Sequence, residues 1–210
     1  MSSHYEDAVI GFEPKAVVPT KSLDRRGLIL RAASDSFAEL GYQNTSLNAI
    51  CDGAGIAKPT LYHYFPSKAA LLNQLLGEYL EMLITASEDP ERRQLPPSDR
   101  LFLLMKDMLT SLDTHRGQVR CFYENATEFL PSSMRARISE RRQYYNEQIE
   151  YVLLVGRDSG DFVIPDVRMI RLSIFALCGW PYNWYRPGGS VTTEKITEHV
   201  WNLVMSGIKA

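Results

Sequence analysis

The chain is poor in cysteine. Its 210 residues hold three, at Cys51, Cys121 and Cys178, and none forms a C-x-x-C pair. That argues against a disulfide framework or a zinc site, and for a reducing compartment. Long apolar runs are lacking: none approaches the roughly 18 residues needed to span a bilayer. The opening "MSSHYEDAVIGFEPK" has no basic start followed by an apolar stretch, so no signal peptide is read and a cytoplasmic protein is expected. Catalytic signatures are lacking as well. There is no P-loop, no G-x-S-x-G and no G-x-G-x-x-G, and Gly53-Ala54-Gly55 follows no strand. His4, His63, His115 and His199 are scattered, none with a second metal ligand at a suitable spacing. No enzyme, metal or resident cofactor is expected. Excess charge is missing too: the formal net charge is −2, so any polyanion-binding surface must be local.

What is present is helical. Charged residues make up 23% and hydrophobic residues 45%, ordinary globular values that exclude wholesale disorder. Residues 1–20 carry Pro14 and Pro19 without any period and read as a mobile arm. Over 22–40, Ile29, Ala33, Phe37 and Leu40 share one helical face, with Ser22 as cap and Gly41 as stop. Short and long helices are predicted over 46–52, capped by Thr45, and over 68–86, capped by Ser67. After "EDPERRQLPPSD" come a helix capped by Ser98 and helices over 116–129, 132–156, 166–185 and 191–208. Gly156 and Gly160 are expected to stop the 132–156 helix, and Pro181 to kink the next. Ile196, Val200, Leu203, Val204 and Ile208 form one stripe on the last. No strand pattern or repeat is found, and the fold class is all-α.

The informative stretch is "GAGIAKPTLYHYF", residues 53–65. A helix-turn-helix needs a small residue where its helices cross, a turn residue that tolerates positive φ, and apolar anchors on either side. Cys51, Gly55, Ile56 and Leu61 supply these, with Leu47 and Ile50 upstream. The second helix begins near Lys58-Pro59, where proline is acceptable because the first-turn N–H has no intrahelical partner. Leu61 and Phe65 then face inward, while Lys58, Thr60, Tyr62 and His63 face outward, where a recognition helix meets base edges and phosphates. Between Lys21 and Leu75, six basic residues (Lys21, Arg25, Arg26, Arg31, Lys58, Lys68) stand against four acidic ones (Asp24, Asp35, Glu39, Asp52), a local net of +2. Lys68 opposes the dipole of the helix it starts, which suggests another use such as a phosphate.

From Arg25 to Leu71 these residues resemble the N-terminal domain of tetracycline-repressor-type regulators. F-x-x-x-G-Y, T-S-L-x-x-I, A-G-I-x-x-x-T-L-Y-x-Y-F and S-K-x-x-L occur in order. The resemblance implies a helical homodimer on operator DNA. It divides the chain into an arm over 1–20, a helix-turn-helix domain over 21–68 and an effector-binding and dimerisation domain over 69–210. It places Thr45 and Lys68 at phosphates, with Ser46 in the same DNA-facing set. Lys58, Thr60 and His63 fall near bases, Tyr62 and Tyr64 near the backbone, and Pro59 belongs to the same DNA-binding set. The chain departs from relatives at Ala57, where they often carry Ser or Thr, and at Pro59, where they often carry Gly or Ala.

In the second half, "GWPYNWYRPGG" and the helix after it resemble a subgroup of such repressors in fatty-acid and steroid catabolism, several of which respond to acyl-CoA thioesters. Met105, Phe122, Tyr123, Tyr144, Trp180 and Trp184 are the candidates for lining an apolar effector site. The bland reading of each is packing core. Arg135, Arg137, Arg141 and Arg142 either meet coenzyme A phosphates or form a solvated face. Val200, Leu203 and Val204 are expected at the dimer seam, because two recognition helices one DNA turn apart read a palindrome. The expectation is a homodimeric repressor released from a palindromic operator by a small apolar ligand, with an acyl-CoA thioester as the candidate. The alternatives are a ligand-activated regulator, or a helical lipid-binding protein without DNA binding.

Overall fold

The computed structural model describes residues 24–209. The arm expected over 1–20 and the cap expected at Ser22 lie outside them. Helix α1, Arg25–Asn44, is capped by Asp24, whose carboxylate accepts from the Gly27 N–H at 2.7 Å. The regular course of α1 breaks at Gly41, the expected stop, where φ is 76°, and one further turn carries the helix to Asn44. Helix α2, Leu47–Ala54, is capped by Ser46, not Thr45: Ser46 Oγ accepts from the Ala49 N–H at 3.0 Å. Gly55 follows at φ 64°, the left-handed conformation the tight turn requires. Helix α3, Lys58–Tyr64, starts with Pro59 in its first turn and no side-chain cap at Ala57. Helix α4, Lys68–Glu88, starts at the expected cap, Ser67.

A short turn of helix, α5 (Pro90–Arg93), lies within the connection read as irregular. Helix α6, Pro97–Thr114, starts ahead of Ser98, behind two prolines whose backbone is preset for a first turn. Helix α7, Arg116–Tyr123, is shorter than predicted, since Asn125 at φ 55° breaks the course before a 3₁₀ turn, Ala126–Phe129. Helix α8, Ser132–Ser159, runs through Gly156 and ends at Gly160. Gly156 serves packing instead, because a Cβ there would lie 2.2 Å from the Phe162 ring. Helix α9, Val167–Gly179, passes into a 3₁₀ turn, Trp180–Asn183, at Pro181, and helix α10, Thr193–Ile208, closes the chain. The described residues contain no sheet, only an isolated bridge between Phe162 and Lys209.

Two cores hold these helices. In the first, Ile29, Phe37, Ile50, Leu61 and Leu71 of α1–α4 are closed off by Cys121, Leu130 and Ile138. In the second, Tyr79 and Leu83 of α4 pack with Met105 and Leu109 of α6, Ile149 of α8, Ile174 of α9 and Ile196 of α10. Each such buried side chain contributes about 1.5–3 kcal/mol, and α4 contributes to both cores. The two halves also meet where α1 crosses α7. Gly117 lies so close to α1 that a Cβ there would be 2.1 Å from the Ser34 carbonyl oxygen. Beside it Ser34 Oγ donates to Gln118 Oε1 at 2.8 Å. One turn on, Arg120 donates to the Ala38 and Glu39 carbonyls, both at 3.0 Å, and is paired with Glu124 at 2.8 Å.

Because the obstruction at Gly117 is backbone, Gly117→Ala must push α1 off α7. Thermal denaturation should show a loss of about 1–3 kcal/mol, the cost of overpacking a tight contact. An unchanged Tm would mean that the two helices do not touch this closely.

Candidate nucleic-acid interface and effector cavity

The turn at Gly55 sets α3 across α2 with Leu61 and Phe65 buried beneath it. That leaves Lys58, Pro59, Tyr62, His63 and Tyr64 exposed on one short helix, with Thr60 half-buried. His63 and Tyr64 meet edge to face, ring centres 5.1 Å apart, and Tyr64 lies on the surface. Ser46 is exposed at the start of α2, on the neighbouring helix. Together these place hydroxyl, ammonium, imidazole and phenol donors on one surface, the donor types that contact phosphates and base edges. Ala57 and Pro59 offer α3 neither a hydroxyl cap nor a second free amide, so the side chains carry this face.

Two of the residues expected at phosphates do structural work instead. Thr45 is buried, and its hydroxyl donates to the Gly41 carbonyl at 2.8 Å and the Ser36 carbonyl at 3.1 Å. Lys68 Nζ donates to the carbonyls of Tyr42, Gln43 and Thr45 at 2.7, 3.2 and 2.8 Å, and lies 4.5 Å from the centre of the Tyr42 ring. Burial pushes the Lys68 ammonium down from its ordinary value. The cation that opposes the dipole of α4 therefore neutralises the carbonyl end of α1. All three of its donors are engaged, so it has none left for a phosphate.

In the second half, an apolar cavity of about 710 Å³ opens between α9, the 3₁₀ turn at Trp180 and α10. Tyr123, Trp180 and Trp184 line it, as does Pro181, and Lys195 and His199 stand on its α10 wall. Trp180 is 63% exposed, a large apolar surface left for something to cover. Tyr123 stacks on Tyr182 with ring centres 5.9 Å apart and packs on the bare backbone of Gly179, where a Cβ would lie 1.8 Å from its ring. The loop around the cavity is pinned by the Asp113 carboxylate, which accepts from the Tyr185 hydroxyl and, at 2.7 Å, from the Thr193 hydroxyl at the start of α10.

Other candidates lie elsewhere. Met105 is fully buried in the second core. Phe122 packs against Tyr79 and under the Arg142 guanidinium. Tyr144 is exposed, hydrogen-bonded to Glu88. The arginines of α8 are dispersed: Arg141 pairs with Glu81 at 2.8 Å, and Arg135 donates to the Leu130 carbonyl at 3.2 Å. The proposed seam divides as well. Val200 and Val204, 6% and 8% exposed, are taken up by the protomer's own core, because α10 needs its i, i+4 stripe to pack on α6. Leu203 points outward at 54%, and Met169 and Leu172 of α9 are exposed as well. Lys195 and His199 were not anticipated, since their place depends on how α10 docks.

Among known proteins, the model of bacterial regulatory proteins of the tetR family matches residues 29–75, and that of the tetracyclin repressor-like C-terminal domain matches residues 94–208. The HTH-type transcriptional repressor KstR2 of Mycobacterium tuberculosis is 30% identical over 185 residues, 88% of this chain and 92% of that one. The solved structure of the ketosteroid transcriptional regulator KstR2 of Mycobacterium tuberculosis superposes with a TM-score of 0.82 at 29% identity, over 89% of this chain and 96% of that one. AibR, solved in complex with isovaleryl coenzyme A and operator DNA, superposes with a TM-score of 0.74 over 86% of this chain and 97% of that one. At 22% identity, that likeness is one of fold.

The two lysines should behave differently. Lys58→Ala should weaken DNA binding and reduce the slope of log affinity against log salt by about one, with Tm unchanged. Lys68→Met should lower Tm by the equivalent of about 1–3 kcal/mol, since it strips charge-assisted bonds from three carbonyls. A Lys68→Met protein of normal Tm with a flattened salt slope would return Lys68 to the phosphates.

Proposed function

Because the chain belongs to the tetR family of bacterial transcriptional regulators, we propose that it is a homodimeric repressor released from a palindromic operator by an acyl-CoA thioester. The observation that carries the ligand class is the cavity of about 710 Å³. Its walls are aromatic and aliphatic, as an acyl chain requires, and Lys195 and His199 offer cationic or hydrogen-bonding contact to the anionic part of such a ligand. The solved complex of AibR with isovaleryl coenzyme A and operator DNA supports an acyl-CoA on this fold. A regulator of this kind works where the operator DNA is, and a cytoplasmic location is part of the proposal. No described helix is long and apolar enough to cross a membrane.

The route from ligand to DNA runs along α7. Tyr123, at one end of this helix, lines the cavity, while Gly117, Gln118 and Arg120 hold α1. A ligand that displaces Tyr123 moves a helix that cannot shift without taking α1 with it. A change in the spacing of two recognition helices then prevents both half-sites from docking together. Pairing of two protomers uses the outward face of α9 and α10, where Met169, Leu172 and Leu203 are exposed.

Two experiments test this reading. DNA selected from a random pool should yield a palindrome, and decanoyl-CoA should lower affinity for it by tenfold or more in fluorescence anisotropy. Tighter binding with decanoyl-CoA would identify a ligand-activated regulator, and no selected DNA would remove the regulator reading altogether. Separately, Leu172→Glu with Leu203→Glu should sediment as a monomer and lose binding to the full palindrome. A stable dimer of that variant would move the interface elsewhere.

A further inference from the structure

Besides Tyr185, the second core buries three phenols, Tyr79, Tyr123 and Tyr145. Tyr79 Oη lies 3.3 Å from Ser111 Oγ, which itself donates to the Met108 carbonyl at 2.6 Å. Tyr123 Oη donates to the Phe175 carbonyl at 3.0 Å. The third phenol is different. Tyr145 is 2% exposed, and its Oη has no hydrogen-bond partner among the described residues. A buried hydroxyl left unpaired costs about 1–3 kcal/mol, so phenylalanine would suit this position better if packing were its only role. Burial pushes the Tyr145 phenol far up, so it is a neutral O–H with a proton to donate.

Tyr145 is connected to the cavity wall by one residue, Phe175. Its ring meets the Phe175 ring edge-on at 6.3 Å, while Tyr123, which lines the cavity, holds the backbone carbonyl of the same Phe175. Tyr123 rests on the bare face of Gly179, stacked on Tyr182, and its hydroxyl makes a single hydrogen bond. Phe175 thus joins Tyr123, on the cavity wall, to an unpaired donor.

We propose that Tyr145 Oη is the deep anchor of the effector site, donating to an oxygen carried on the acyl group, and that the effector is therefore an oxygenated acyl thioester rather than a plain alkyl one. The ligand reaches it when Tyr123 swings off Gly179. A ketone oxygen is an acceptor only and suits a phenol whose proton has no partner. A plain alkyl chain would leave that donor unpaired, which is how a polar site discriminates against an analogue lacking the polar group. This inference rests on the acyl-thioester reading of the cavity.

Isothermal titration of the full-length protein with decanoyl-CoA and 9-oxodecanoyl-CoA tests it. The wild type should bind the oxo thioester about tenfold more tightly, the effect of one buried hydrogen bond. Tyr145→Phe should bring the two affinities together by weakening only the oxo ligand, and its ligand-free Tm should be equal or higher. Equal binding by the wild type, or a preference that survives in Tyr145→Phe, would overturn the inference and leave the cavity reading intact. A lower Tm of Tyr145→Phe would also overturn it, by showing that the hydroxyl already has a partner. If neither thioester binds the wild type, the acyl-thioester reading falls and takes this inference with it.

Discussion

The crossing of α1 and α7 is the contact on which the rest depends. At Gly117 the two helices are separated by backbone alone, with the Ser34 carbonyl where a side chain would otherwise be. Such a contact has little compliance: side chains can change rotamer, but a carbonyl against a Cα cannot yield without moving the helix. Gln118 and Arg120 add hydrogen bonds on the same side. The orientation of the DNA-facing helices is thus fixed by a helix of the other half of the molecule. Lys68 provides the second fixture, joining the start of α4 to the carbonyls that follow the kink in α1.

This arrangement explains why one helix can serve two sites. The cavity end of α7 is aromatic and adaptable, with Tyr123 stacked between Tyr182 and Gly179. Its other end is rigid. A small displacement at the adaptable end is transmitted because the opposite end cannot absorb it. α4 contributes to both cores and can also carry strain between the halves, but its contacts are ordinary side-chain packing.

The DNA-facing half was largely legible in the sequence because its determinants are local. Gly55 specifies a left-handed turn, Leu61 and Phe65 specify the buried face, and the exposed donors follow from helical geometry. What failed there were residues whose partners are distant in sequence. Lys68 bonds carbonyls more than twenty positions away, and Thr45 turns inward to Ser36. The second half was less legible for the same reason. An aromatic run such as "GWPYNWY" signals a surface rich in rings, and Trp180 and Trp184 do meet at the cavity. Periodicity alone cannot say which flank of α10 faces inward, so Val200 and Val204 were separated from Leu203 only by the docking of α10 on α6. Met105 and Tyr144 show the limit from either side: one is locked in core, the other lies on the surface.

The chain has three tryptophans, and two of them, Trp180 and Trp184, stand exposed at the mouth of the cavity, while Trp201 packs edge-on against Phe102. Indole emission depends on the polarity around the ring, so the protein carries its own optical reporter at the proposed effector site. The DNA-facing half holds no tryptophan, so occupancy of the cavity can be followed by indole emission in an unlabelled sample.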